Sequence, residues 1–200
     1  MTSPRPTPWW GLASSVAAPV LLVGGWTWAA ARQQGGFDPV VETISALAAR
    51  DADDRWVMTM ALAGLGVCHL TTALALRGAA TPGRVVLAVG GVGTVLVAAF
   101  PLPAGGGGST AHTLAAGLSF ASLGVWPLLA GRRDGEAALR RAASLSAGVV
   151  LLGLVGWFAV ELVTDSARVG LSERVAAGAQ AVWPLVAAWS TSRLVRTRRA

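Results

Sequence analysis

The chain has 200 residues and a formal charge of +6, with 54% of residues hydrophobic and 13% charged. An ordinary soluble domain carries about 25% charged residues, and a soluble core of this size cannot absorb so much apolar material. The composition therefore excludes a water-soluble globule; it also excludes a nucleic-acid binder, because the arginines fall between apolar runs and form no stripe.

Six apolar segments follow one another: 9–31, 56–76, 85–100, 110–130, 142–163 and 175–194. A spanning helix needs about 20 residues. Five segments meet this length, and the third is short because Pro101 and Pro103 stop it. The first segment carries an AxA-like site at Ala29 and Ala31, but its apolar run exceeds the roughly 7–15 residues of a signal-peptide core. It is expected to stay as an uncleaved helix. Between the first two segments, Phe37, Val40, Val41, Ile44, Leu47 and Ala48 recur at helical spacing. Asp38 suits an N-cap and Pro39 the first helical position, so an amphipathic outer helix is predicted over 38–50. It either lies at the interface with Asp38, Glu42 and Ser45 solvated, or forms a lid carrying carboxylates over the bundle. The predicted fold is an all-α polytopic membrane helix bundle, with six transmembrane helices plus this short outer helix, and residues 1–200 form a single transmembrane domain.

All sixteen cations are arginine, and lysine and tyrosine are absent, a bias typical of GC-rich bacterial coding. With the N-terminus inside, eleven arginines face the cytoplasm: Arg5, Arg77, Arg84, Arg132, Arg133, Arg140, Arg141, Arg193, Arg196, Arg198 and Arg199. Five face out, while eight of the ten acids lie outside. The positive-inside rule then puts both termini in the cytoplasm of a cell membrane, where anionic lipid heads are the expected partners. Trp9, Trp10, Trp126 and Trp189 fall at the inner boundary and Trp26, Trp28, Trp56 and Trp157 at the outer one, as an aromatic belt would; Trp183 lies deeper. Gly117, Gly124 and Gly131 repeat every seven residues and define a close-packing face on helix four. Val125-Trp126-Pro127-Leu128 recurs as Val182-Trp183-Pro184-Leu185, either a trace of a helix-hairpin repeat or a chance match in biased composition. Cys68, the single cysteine, sits in an apolar run as a small packing residue.

Polar groups gather at the outer level. Glu161 and Asp165 lie four apart at the end of helix five, on one face; Glu173 and Arg174 open helix six, with Gln180 two turns further in. His112 opens helix four after the glycine run 105–108. An ionisable group in a membrane segment is a functional candidate by default, and Glu161 fits best, unless it is simply ion-paired to Arg168 or Arg174. His69 lies about 20 Å below the outer end of helix two, so it cannot share a metal or haem with His112; it is expected to be a hydrogen-bonded interhelical residue. No GxSxG, P-loop, GxGxxG or HExxH occurs, and no cofactor or metal is implied. The candidate ligand-binding set is Asp38, Glu42, Ser45, His112, Glu161, Asp165, Arg174 and Gln180.

Glu42-Thr43-Ile44-Ser45-Ala46-Leu47 after the first helix, Phe100-Pro101 ending helix three, His112, and Gly170-Leu171-Ser172-Glu173-Arg174 opening helix six form a set. Together they resemble the six-helix bacterial membrane proteins of the family labelled domain of unknown function nine-nine-eight. The resemblance covers nearly the whole chain. It implies a membrane location and no settled activity. Members often carry an acidic residue where this chain has Ala46, which argues against a catalytic loop motif.

Three functions compete at this level. The first is binding of a lipid or amphipathic molecule from the outer leaflet, head group on the polar cluster and tail on the bundle. The second is a metal-assisted membrane hydrolase built on His112 with Glu161 and Asp165. The third is proton- or cation-coupled transport with Glu161 as the coupling carboxylate.

Overall fold

Six helices form in a computed structural model that describes residues 6–192: α1 Trp9–Ala30, α2 Trp56–Ala75, α3 Thr81–Ala99, α4 Thr110–Ala130, α5 Arg141–Val163 and α6 Val169–Ser192. Arg5, Leu194 and the arginines at 193, 196, 198 and 199 lie outside the described residues. Each helix packs on its neighbour in sequence, and α6 returns to α1, closing a ring. α1 to α5 are each long and apolar enough to cross a membrane. α6 has the length, but its polar residues keep it below that mark. Large apolar side chains, among them Met60, Leu74, Leu114, Val149 and Val163, stand exposed around the perimeter, where lipid would solvate them.

The ends of α1, α2, α4 and α5 fall within one residue of the apolar runs, because charged or turn residues bound those runs. α3 and α6 do not. α3 begins at Thr81, with Pro82 in its first turn, and is of ordinary length rather than short. The Arg84 guanidinium folds back on the last turn of α2 and donates to Ala73 O at 2.8 Å and Leu74 O at 3.1 Å. That satisfies carbonyls a helix end leaves open. α6 starts six residues earlier than its apolar run, because Glu173 turns inward and Arg174 is used by the loop between α1 and α2.

The predicted helix over 38–50 is not formed. Only a 3₁₀ turn, Ser45–Ala48, is helical. A helix would give the carbonyls of Pro39, Val40 and Glu42 to the N–H groups four residues on. α6 takes them instead. Leu171 N–H donates to Val40 O at 2.9 Å, and Arg174 donates to Pro39 O and Glu42 O at 2.9 and 2.7 Å. Ile44 N–H goes to the Glu173 carboxylate and Ala46 N–H to Thr43 Oγ1. Gly170 permits this docking: a Cβ there would lie 2.2 Å from Glu42 O. Ile44, Leu47 and Ala48 are driven into the bundle, so the loop is a plug and not an interfacial helix.

Two apolar clusters fill the ring. One lies at the plug end and includes Leu22, Leu47, Met58, Leu62, Leu65 and Val97. The other lies at the opposite end around Leu76, Leu87, Trp126 and Leu139. Trp126 is fully buried there and does not belong to a lipid-facing belt. Trp183, from the second Trp-Pro pair, packs on the same cluster, and both prolines lie inside their helices. On α4 the glycine face divides. Gly124 and Gly131 meet α5 closely, whereas Gly117 has nothing near it. α4 and α5 are further tied by Ser144, whose hydroxyl donates to Pro127 O at 2.6 Å in a buried contact. Ser144→Ala is expected to lower the unfolding free energy by about 1 kcal/mol, the upper part of the range for such bonds in membrane bundles. Reversible unfolding in mixed micelles would read it.

Candidate functional site

The polar residues that matter meet at the plug end, inside the ring. Ser109 caps α4 by accepting from His112 N–H, which sets the first turn of α4 against the end of α3. The His112 imidazole is buried there. Its Nδ1 lies 2.8 Å from Phe100 O and its Nε2 lies 3.0 Å from Ser45 Oγ. A carbonyl oxygen only accepts, so Nδ1 carries the hydrogen. In the neutral ring Nε2 then holds a lone pair and accepts from the Ser45 hydroxyl. On the other side of Ser45 stands Glu173, 4% exposed, whose carboxylate accepts from Ile44 N–H.

Below this group lies a cavity of about 50 Å³, bounded by the plug, α1, α2, α3, α4 and α6. Its walls are mostly apolar, with Leu62, Leu65, Val97 and Phe120 among them. Six polar side chains reach it: Ser45, His69, Thr94, Ser119, Glu173 and Gln180. Thr94 and Ser119 share a 2.8 Å hydroxyl contact, and Gln180 donates to Phe120 O at 2.8 Å. His69 is different. It is 1% exposed, and neither ring nitrogen has a hydrogen-bond partner. The expected interhelical hydrogen bond is not made. A buried polar group without a partner is uncommon and calls for a cause.

Of the eight candidate residues, three join this site: Ser45 and Gln180 on the cavity and His112 behind Ser45. Asp38 and Glu42 are exposed and serve the loop itself, Asp38 Oδ1 accepting from Val40 N–H and Glu42 Oε1 from Asp38 N–H. Glu161 accepts from Trp157 Nε1 at 2.8 Å and pairs with Arg168 at 3.2 Å, away from the cavity. Asp165 lies beyond the end of α5 with a φ of +53°, so it does not share a helical face with Glu161. The trio His112, Glu161 and Asp165 is not assembled, and among the described residues no three His, Cys, Asp or Glu side chains gather as a metal site. Arg174 works behind the site. It clamps the plug through Pro39 O, Glu42 O and Gly170 O, and its guanidinium lies 5.9 Å from the Trp26 ring centre and 5.3 Å from that of Phe37. The approach to the plug is held by Arg32 and Asp54. The Arg32 guanidinium, helped by the Trp56 indole N–H, keeps the Asp54 carboxyl below the usual carboxylate range.

Glu173, His69, Thr94 and Ser119 were absent from the sequence-derived set. Glu173 carries a usable signal, an acid one residue after Ser172 and three after Gly170 at the opening of helix six. Thr94 and Ser119 had none, since such residues commonly bond their own helix backbone.

Fold and site together define a polytopic helical membrane bundle with a polar pocket under a folded loop. The sequence profile of the family described as protein of unknown function (DUF998) matches residues 16–190, and the chain belongs to that family. No curated protein and no solved structure matches the chain. The four motifs that carried the resemblance are the ones that meet here: the loop around Ser45, the end of α3 at Phe100, His112, and Glu173 with Arg174.

Proposed function

We propose that this protein is a membrane-embedded binding protein, which admits the small polar end of an amphipathic molecule into the cavity beneath the plug. The plug end faces outward in this reading, both termini are cytoplasmic, and α6 completes six membrane spans. The arginine-rich end meets anionic lipid heads of the cell membrane. One observation carries the reading: polar side chains from the plug, α2, α3, α4 and α6 converge on one apolar-walled cavity, and His69 there lacks a partner. Apolar walls with a few placed polar groups are the usual make-up of a small-molecule site. About 50 Å³ of free space holds a few water-sized groups, at roughly 10–15 Å³ for each. The cavity therefore suits a hydroxyl, carboxyl or ester group, with the attached chain left outside it.

The test is a melting screen of detergent-purified protein against octyl compounds ending in alcohol, acid, amine or ester groups. At 100 times its dissociation constant a true ligand stabilises by about 2.7 kcal/mol. His69→Leu is expected to melt higher than wild type without ligand, because it removes an unsatisfied buried group worth about 1–3 kcal/mol, and to lose the ligand-dependent shift. Equal responses of wild type and His69→Leu to every compound would refute the reading.

A further inference from the structure

We infer that Ser45 is an activated nucleophile, with His112 as its general base, and that the substrate class is a carboxylic ester of an amphipathic molecule. This rests on the binding reading above and names what the site does to its ligand. Ser45 is one of the residues that line the cavity, so a group that enters comes up against it. His112 Nε2 stands 3.0 Å from Ser45 Oγ, within the range over which a base takes a proton. The ring's direction is not free. Phe100 O, 2.8 Å from Nδ1, holds the one tautomer in which Nε2 is basic. Nucleophile, base and a group orienting the base are the three parts of an activated serine. They come from the plug, α4 and the end of α3, which no local contact requires to meet.

The chemistry balances without any further reagent than water. Ser45 Oγ attacks the ester carbonyl while its proton passes to His112 Nε2. The C–O bond to the alcohol breaks, and the alcohol leaves with that proton. Water then gives a proton to His112 and its oxygen to the acyl carbon. The carboxylic acid leaves and Ser45 regains the proton. Glu173 completes the site. One carboxyl oxygen accepts from Ile44 N–H, and the protonated carboxyl still does so through its carbonyl oxygen. In the neutral form its O–H lies against Ser45, which leaves the Ser45 proton to His112, and it can donate to the oxyanion that forms there. A glutamine at 173 can play the same part through its amide N–H; a leucine cannot.

The experiment uses the full chain in detergent with an octyl fluorophosphonate, whose P–F bond breaks as the Ser45 Oγ–P bond forms. Intact mass and peptide mapping are expected to show one adduct, on Ser45. Ser45→Ala should give none. His112→Gln, which keeps a donor for Phe100 O, should slow labelling about 100-fold or more. Glu173→Gln should retain labelling, and Glu173→Leu should slow it about 100-fold. Melting and helicity confirm that each variant is folded; should His112→Gln fail there, the wild-type peptide map decides. No adduct under conditions that fully label a known serine hydrolase overturns the proposal, as does an adduct elsewhere or labelling indifferent to His112→Gln. In that event an octyl ester that still raises the melting temperature leaves the binding reading standing. If neither labelling nor a shift occurs, both readings fall.

Discussion

Arg174→Met is expected to detach the plug from the bundle and to lower the unfolding free energy by about 2–3 kcal/mol. One guanidinium nitrogen, Nη1, shares its two hydrogens among three backbone carbonyls, Pro39 O, Glu42 O and Gly170 O, at 2.7–3.0 Å. Hydrogen bonds to a charged group are worth about 1.5–3 kcal/mol. Stacking on Trp26 and Phe37 adds about 0.5–1 kcal/mol. Methionine keeps much of the side-chain bulk, so the loss reports on the clamp and not on a void. Ser45 rides on this plug, so the variant should also lose ligand-dependent stabilisation. Limited proteolysis within 31–55 offers a direct readout, with cleavage expected in Arg174→Met and resisted by wild type. A loop equally protected in both would show that the clamp is dispensable.

Gly66→Leu is expected to be at least as damaging, by a different route. A Cβ at Gly66 would lie 2.6 Å from Gly91 O and 2.9 Å from Val95 N, both backbone atoms of α3. Backbone cannot rotate away as a side chain can, so α2 and α3 must separate. Overpacking of this kind costs about 3 kcal/mol. α2 supplies His69 and α3 supplies Thr94, so the cavity would widen with the gap. Gly117→Leu is the control. It makes the same substitution where nothing stands within 4 Å, on the exposed face of α4. It should leave the melting temperature nearly unchanged in a side-by-side unfolding series. Similar losses at both positions would mean that helix propensity, and not the α2–α3 contact, sets the effect.

How far the sequence reaches can be judged from particular residues. Segment 110–130 coincides with α4, because Ser109 caps one end and Gly131 closes the other. Arg84 and Glu173 show that charge in such a chain is no mark of exposure. Both are satisfied inside the fold, Arg84 by the end of α2 and Glu173 by the start of the 3₁₀ turn. The amphipathic pattern of 38–50 is real, since Ile44, Leu47 and Ala48 are buried as it requires. What periodicity could not foresee is that α6 takes the carbonyls a helix would have used. Ser45 and His112 were both named as candidates, but 67 residues separate them. Nothing local indicates that their side chains touch.

The membrane-like composition, the order of the apolar segments and the placement of arginines between them are properties of composition and spacing, which the chain carries whatever its partners. Closure of the ring by α6 on α1, burial of Trp126 and convergence of Ser45, His112 and Glu173 above His69 arise only when distant elements dock. The physical reason is the range of the forces. Hydrophobic transfer is set residue by residue, so a run of apolar side chains declares itself in one dimension. Hydrogen bonds act within about 3 Å and demand direction, so their partners are chosen by the packed backbone.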